Sequence, residues 1–266
     1  MVWPFTSRAV VSVIRLEGVI AARGGAGVGG LNLAALEPAL ARAFAQGGAR
    51  AVALCINSPG GSPVQSDLIV RRIRQLAEKH KKSVLAFVED VGASGGYMLA
   101  CAGDEIFVNP SSLVGSIGVI GGGFGFPDLM AKLGVERRVH TAGAVKGRLD
   151  PFQPEKPEDA ARLGAILTQL HDIFIGFVRE RRGARLRDDP MLFEGEIFTA
   201  REAVELGLAD GFGDLNSVLA ARFGADVRLK RFAPAKPSLW RRLIGGAGEA
   251  ALAALEERLA FARYGL

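Results

Sequence analysis

Apolar residues in this chain fall into short unbroken runs, separated by stretches where they recur every three or four positions. That alternation predicts buried strands exchanging with amphipathic helices. The runs at residues 9–16, 51–56, 83–88 and 105–108 predict strands. Residues 31–46 contain a helix with Leu36, Leu40 and Phe44 at i, i+4, i+8 spacing, and Pro38 places the start of its regular part near Glu37. Residues 64–82 predict a charged amphipathic helix ending in lysines, and 94–102 a short apolar one. After a loop at 111–126, a helix is expected at 128–133 and a strand at 135–140. Pro151, Pro154 and Pro157 mark a linker, and a long helix follows from Pro157 to about Arg182, with acidic residues at its positive end. Thr199 and Glu202 form a capping box for a helix to Leu206, and residues 214–223 predict another helix. The whole reads as a layered α/β fold: one domain over residues 1–226 and a C-terminal helical appendage over 227–266. The appendage is basic at Arg228-Leu229-Lys230-Arg231 and at Trp240-Arg241-Arg242, and residues 249–262 predict an amphipathic helix with Leu252, Leu255 and Leu259 on one side.

Composition narrows the function classes. With 266 residues, 49% hydrophobic and 23% charged, the chain can bury a sizeable core and is not disordered. Its net charge of +5 is spread along the sequence, which argues against a dedicated nucleic-acid binder. Cys55 and Cys101, the two cysteines, lie in apolar runs as small core residues and exclude a disulfide scaffold or multi-cysteine zinc site. Residues 1–8 hold no long apolar segment, and no run approaches the roughly 18–20 apolar residues that span a bilayer. The expectation is a cytoplasmic protein, with a possible peripheral membrane contact through Trp240-Arg241-Arg242-Leu243-Ile244 weighed against oligomer packing. Glycine, at 35 residues, is about twice its average usage.

Much of that glycine sits at sharp corners. Residues 25–30 (G-A-G-V-G-G) match a dinucleotide-binding pattern, but the following strand ends in Asn57-Ser58-Pro59-Gly60-Gly61 with no acid for a ribose, so a flexible loop is the better reading. The N-S-P-G-G corner itself could expose backbone N–H donors of the kind that hold an oxyanion, or be an ordinary turn. In Ala93-Ser94-Gly95-Gly96-Tyr97 a strand turns into a helix at Ser94, which is either a nucleophile at a strand-to-helix corner or a helix cap. A serine nucleophile needs a base. His80 lies in a charged run, His171 inside the long helix, and His140 has no acid nearby in sequence. Lysine can serve where burial favours the neutral amine. Of eight lysines, Lys146 alone sits among small and apolar residues, in Thr141-Ala142-Gly143-Ala144-Val145-Lys146-Gly147.

These pieces resemble the signal peptide peptidase A family of Ser-Lys peptidases, which share the Clp protease/crotonase-like fold. The matching motifs are N-S-P-G-G (57–61), A-S-G-G-Y (93–97), G-S-I-G-V-I (115–120), the glycine-flanked Lys146, and G-E-I-F-T-A-R-E-A-V-E-L-G-L-A-D (195–210). The resemblance implies Ser94 as nucleophile, Lys146 as general base, and Ser116 as the group that orients the lysine amine. It further implies an oxyanion and substrate-binding corner at Gly60, Gly61 and Gly95, with no cofactor and no metal. Extended hydrophobic peptides such as signal-peptide remnants would be the substrates, and a ring- or dome-like homo-oligomer the assembly. The alternatives are a crotonase-like acyl-CoA enzyme, with Glu89 or Asp90 as its carboxylate, and a non-catalytic scaffold of the same fold.

Overall fold

The computed structural model describes residues 8–22, 30–233 and 247–265. The glycine-rich loop at 25–30 falls almost wholly outside them, as do residues 240–244 of the basic segment. The described strands form one sheet: β1 (Val10–Glu17), β2 (Ala49–Ser58), β3 (Ser83–Ala93), β4 (Glu105–Val108), β5 (Leu113–Gly115), β6 (Ile197–Thr199), β7 (Gly211–Phe212) and β8 (Arg228–Phe232). Their order is β6-β5-β3-β2-β1-β8, with β4 between β3 and β7, and every pairing is parallel except β5 with β6. The central strands are apolar almost throughout because a parallel sheet is covered on both faces.

The helices are α1 (Leu33–Ala45), α2 (Pro63–His80), α3 (Gly95–Ala100), α4 (Pro127–Lys132), α5 (Pro157–Arg182), α6 (Ala200–Glu205), α7 (Leu215–Phe223) and α8 (Ala247–Ala262). On one face of the sheet Val11, Val13, Ala51, Ala53, Cys55, Leu85 and Phe87 pack around Leu219 of α7. Residues of opposite parity serve the other face, where Ser12 Oγ donates to the Ala43 carbonyl of α1 at 2.8 Å. Both cysteines are buried, and burial pushes each thiol up to about 11, as suits inert core residues.

Several expectations change. α1 begins at Leu33 rather than near Glu37, because Asn32 caps it by accepting the Ala35 N–H at 2.9 Å, and Pro38 is accommodated inside. β3 runs five residues further than its apolar run, to Ala93, and the expected loop after residue 111 contains β5, which completes its pairing. Residues 135–140 form no strand and are exposed. The long helix ends at Arg182 as expected. With the turn after it (Pro157–Arg185), it is long and apolar enough to cross a membrane by length and composition, and little of it is buried, which amends the expectation that no such stretch exists. The capping box of α6 is present, Thr199 Oγ1 accepting from Glu202 N and Glu202 Oε2 from Thr199 N. The boundary expected at 226/227 marks no break in the sheet: Arg228–Phe232 is β8, parallel to β1 from Val10 to Ile14. In α8, Leu255 and Leu259 are exposed.

The chain divides into two compact units, Met1–Ile117 with Phe177–Leu266, and Gly118–Gly176. The first holds the sheet. In it Arg182 is buried and donates two parallel bonds to Asp210, at 2.9 and 3.0 Å, while Asp210 Oδ2 also accepts the Ile106 N–H at 2.7 Å. Burial works against the Asp210 carboxylate, but these bonds and the charges of Arg182 and Arg185 outweigh it and hold the group below the usual carboxylate range. The last residue of the 195–210 motif is thereby a structural anchor. The second unit contains α4, a turn-rich segment and most of α5. In it the exposed Phe126 is flanked by Phe124 and Phe152 at ring distances of 6.4 and 5.9 Å, with Arg137 over Phe152.

Candidate active site

Parallel pairing places two serines side by side. Ala93 at the end of β3 pairs with Gly115 at the end of β5, so Ser94 and Ser116 are the first residues beyond adjacent parallel strands, which lie about 4.8 Å apart. The corner is tied by Ser94 N to Gly115 O at 2.8 Å and by Ser116 N to Glu196 O at 2.6 Å. Both serines have positive φ, 53° and 50°, in a region non-glycine residues seldom occupy. Ser94, at φ 53° and ψ −122°, stands before α3 yet makes no capping hydrogen bond with its side chain. The plain helix-cap reading therefore fails at Ser94, which stands as a strained, half-buried serine at a strand-to-helix corner.

The N-S-P-G-G corner packs directly against this one. A Cβ built on Gly60 would meet Ser94 Cβ at 2.8 Å and the Gly95 nitrogen at 2.9 Å, and its φ of 101° demands glycine in any case. At Gly61, with φ 140°, a Cβ would strike the Ile20 carbonyl at 2.1 Å. Gly95 is closed in by Ser66 Oγ and Ile20. The bonds that knit the corner leave the Gly61 N–H outside them: Gly60 N donates to Ser58 Oγ, Ile20 N to Gly60 O, and Ser62 N to Ile20 O. Gly95, as the first residue of α3, carries an N–H with no partner in its own helix.

Thus Ser94, Ser116, Gly60, Gly61 and Gly95 come together in the first unit. Lys146 belongs to the second, in a turn whose backbone closes from Lys146 N to Gly143 O at 3.2 Å. That turn is tethered to α5 by Arg148, which pairs with the buried Asp159 at 2.9 Å. The Lys146 side chain is exposed. Glu89 and Asp90 are both engaged: Glu89 pairs with Arg15 at 2.7 Å, and Asp90 accepts the Asn57 amide at 2.6 Å.

Three supporting residues escaped the sequence reading. Ile20 forms bridges to both Leu31 and Gly61, an arrangement foreshadowed only by the apolar Val19-Ile20-Ala21 after β1. Ser58 is buried and donates to the Gly18 carbonyl at 2.7 Å. Tyr97 is fully buried, its hydroxyl donating to the Leu208 carbonyl at 2.9 Å, which ties A-S-G-G-Y to the 195–210 motif, and burial drives its phenol well above the ordinary range. A cavity of about 580 Å³ on the α7 face is lined by Arg15, Cys55, Glu89, Asp90 and Arg231 among others, and none of Ser94, Ser116, Lys146, Gly60, Gly61 and Gly95 lines it.

A parallel α/β sheet with a strained serine corner facing a glycine corner is the architecture of the Clp protease/crotonase-like fold. The chain belongs to Peptidase family S49, whose sequence profile matches residues 76–227. A protein of Synechocystis sp. that bears a protease name is 33% identical over 254 residues, 92% of this chain and 87% of its own. The chloroplastic serine protease SPPA of Arabidopsis thaliana is 32% identical over 184 residues, 68% of this chain and 27% of its own. A Brucella abortus protein named Na(+)/H(+) antiporter NhaA is 50% identical over 271 residues, 96% of this chain. The chain spans only 37% of that relative's length. Among solved structures, a 1510-N membrane-bound stomatin-specific protease, as a serine-to-alanine mutant, superposes with a TM-score of 0.53 at 18% identity, covering 86% of this chain and all of its own. That likeness confirms the fold.

Proposed function

We propose that this chain is a serine endopeptidase working through Ser94 and Lys146. The observation that carries the reading is Ser94 itself, held at φ 53° without a capping bond and packed against Gly60. In this mechanism the neutral Lys146 amine takes the Ser94 hydroxyl proton as Oγ attacks the scissile carbonyl carbon. The developing oxyanion is held by the N–H groups of Gly61 and Gly95. The tetrahedral intermediate collapses, the peptide nitrogen leaves with the proton carried by Lys146, and an acyl-enzyme remains. Water, deprotonated by the same lysine, then hydrolyses the ester. Ser116, beside Ser94 at the adjacent strand end, accepts or donates a hydrogen bond that orients the amine. Because Lys146 is exposed in the single chain, its desolvation comes with bound substrate and with assembly into a homo-oligomer. Substrates of this reading are extended hydrophobic peptides, including signal-peptide remnants.

Ser94→Ala and Lys146→Ala, purified and assayed on casein, should each abolish cleavage. Wild-type retention by either variant overturns the dyad. Wild-type activity should climb from neutral into alkaline pH, since the base must lose its proton, and a flat profile counts against a lysine base. Mixing the two variants identifies the source of the lysine: recovered cleavage means that a neighbouring copy supplies it.

A further inference from the structure

The pairing of β2 with β3 is interrupted just where the two glycine corners begin. Ile56 pairs with Val88 but Ser58 pairs with Gly92, so Asn57 stands opposite three residues, Glu89, Asp90 and Val91. A bulge of this kind leaves residues unpaired and disrupts the ladder locally. Here the Asn57 side chain fills the interruption. Its Nδ2 donates to Asp90 Oδ2 at 2.6 Å, and its Oδ1 accepts the Val91 N–H at 3.2 Å. The Asn57 carbonyl meanwhile accepts the Gly18 N–H at 2.9 Å, and Ser112 Oγ donates to the carbonyls of Val88 and Glu89 from the β5 side. Strand alternation puts Asn57 on the α7 face with Cys55, whereas Ser58 braces the other face through the Gly18 carbonyl and the Gly60 N–H.

We infer that Asn57, held by Asp90, is a positioning residue that sets the distance between the Gly60–Gly61 corner and Ser94. This rests on the proposed role of Ser94 and of the Gly61 and Gly95 N–H groups. Asn57 is four residues before Gly61, and its two side-chain bonds reach the strand that ends at Ala93, one residue before Ser94. No other side chain of the N-S-P-G-G corner bonds to β3 among the described residues. Losing the clamp lets the oxyanion donors drift relative to the nucleophile, so the loss falls on the chemical step. Asn needs both its donor and its acceptor here; Asp in its place would set two carboxylates against each other at hydrogen-bond distance. Exchanging the pair reverses the polarity of the side-chain bond and keeps a carboxylate acceptor for the Val91 N–H.

The test uses the full chain and a quenched-fluorescent peptide with a central run of leucines, with Ser94→Ala measured in parallel. Asn57→Ala and Asn57→Asp should each lower kcat at least tenfold with KM within about threefold, since small misplacements of catalytic groups carry losses up to about a hundredfold. The reciprocal exchange, Asn57→Asp with Asp90→Asn, should recover kcat to within about threefold of wild type. If Ser94→Ala is inactive while Asn57→Ala keeps wild-type kcat, or while the loss appears in KM alone, the positioning role is overturned. A double exchange as slow as Asn57→Asp overturns the clamp with Asp90. If Ser94→Ala itself stays active, the reading beneath both is what falls.

Discussion

The Ser94 corner and the Lys146 turn are held by different physics. Around Ser94, buried backbone and side-chain bonds converge from β2, β3, β5 and the segment after β1, and a single added methyl at Gly60 or Gly61 has nowhere to go. Around Lys146 the side chains are exposed, a Cβ at Gly147 would meet nothing, and the turn is closed by two backbone bonds and held to Asp159 by the Arg148 ion pair and the Leu149 N–H. A preorganised donor corner gains most from rigidity, because its value lies in needing no rearrangement when charge develops. A lysine base gains from changing its surroundings between the free and the occupied enzyme, because it must be neutral only when substrate excludes water.

That contrast can be broken by experiment. The largest effects belong to the rigid corner: Gly60→Ala should abolish casein cleavage and lower the melting temperature, since it forces a Cβ against Ser94 at an unfavourable φ. An active, fully stable Gly60→Ala enzyme would mean that the corner tolerates movement. Lys146→Ala should remove activity to a similar extent yet leave thermal stability within about 0.5 kcal/mol of wild type, as for other exposed positions. A marked loss of stability would show that the lysine is packed rather than free. Next comes the anchor of the first unit, where Asp210→Ala should cost about 3 kcal/mol in denaturant unfolding, because the buried Arg182 loses its partner. The depressed Asp210 carboxylate gives this pair a definite pH dependence. A group lowered in the folded state stabilises fully above its ordinary range, near pH 4, and loses that contribution as pH falls through its folded value. Wild type should therefore lose more stability than Asp210→Asn between pH 5 and pH 2, and parallel curves would contradict it. A smaller effect is expected for Arg148→Ala, about 1–2 kcal/mol in stability because the buried Asp159 keeps only the Leu149 N–H, with a several-fold loss of kcat as the Lys146 turn loosens. An unchanged kcat would show that the tether is dispensable.

How much was legible beforehand follows the range of each interaction. α2, α6 and α7 were readable within a residue or two because caps and periodicity are local: Ser62 with Pro63, Thr199 with Glu202, Asp214 with its N–H partners. α1 starts four residues before the position that Pro38 implied, because the Asn32 cap sets its first turn. β5 was hidden in a glycine-rich stretch, since three residues carry no periodicity and it exists as a strand only through β3 and β6. The strand expected at 135–140 fails for the converse reason: it finds no neighbour to pair with among the described residues.

The sequence by itself determined the alternation of strands and helices, the family, and the motifs that carry Gly60, Gly61, Ser94, Gly95 and Ser116, because motifs, caps and apolar periods are written in consecutive positions. Only the tertiary structure decided that Ser94 and Ser116 end adjacent parallel strands, that Ser94 is strained and uncapped, and that Asn57 bridges to Asp90 across a bulge. It likewise showed that Lys146 is exposed. Each of these depends on which strand lies beside which, and that is settled by burial of both sheet faces over the whole chain rather than by any local run of residues.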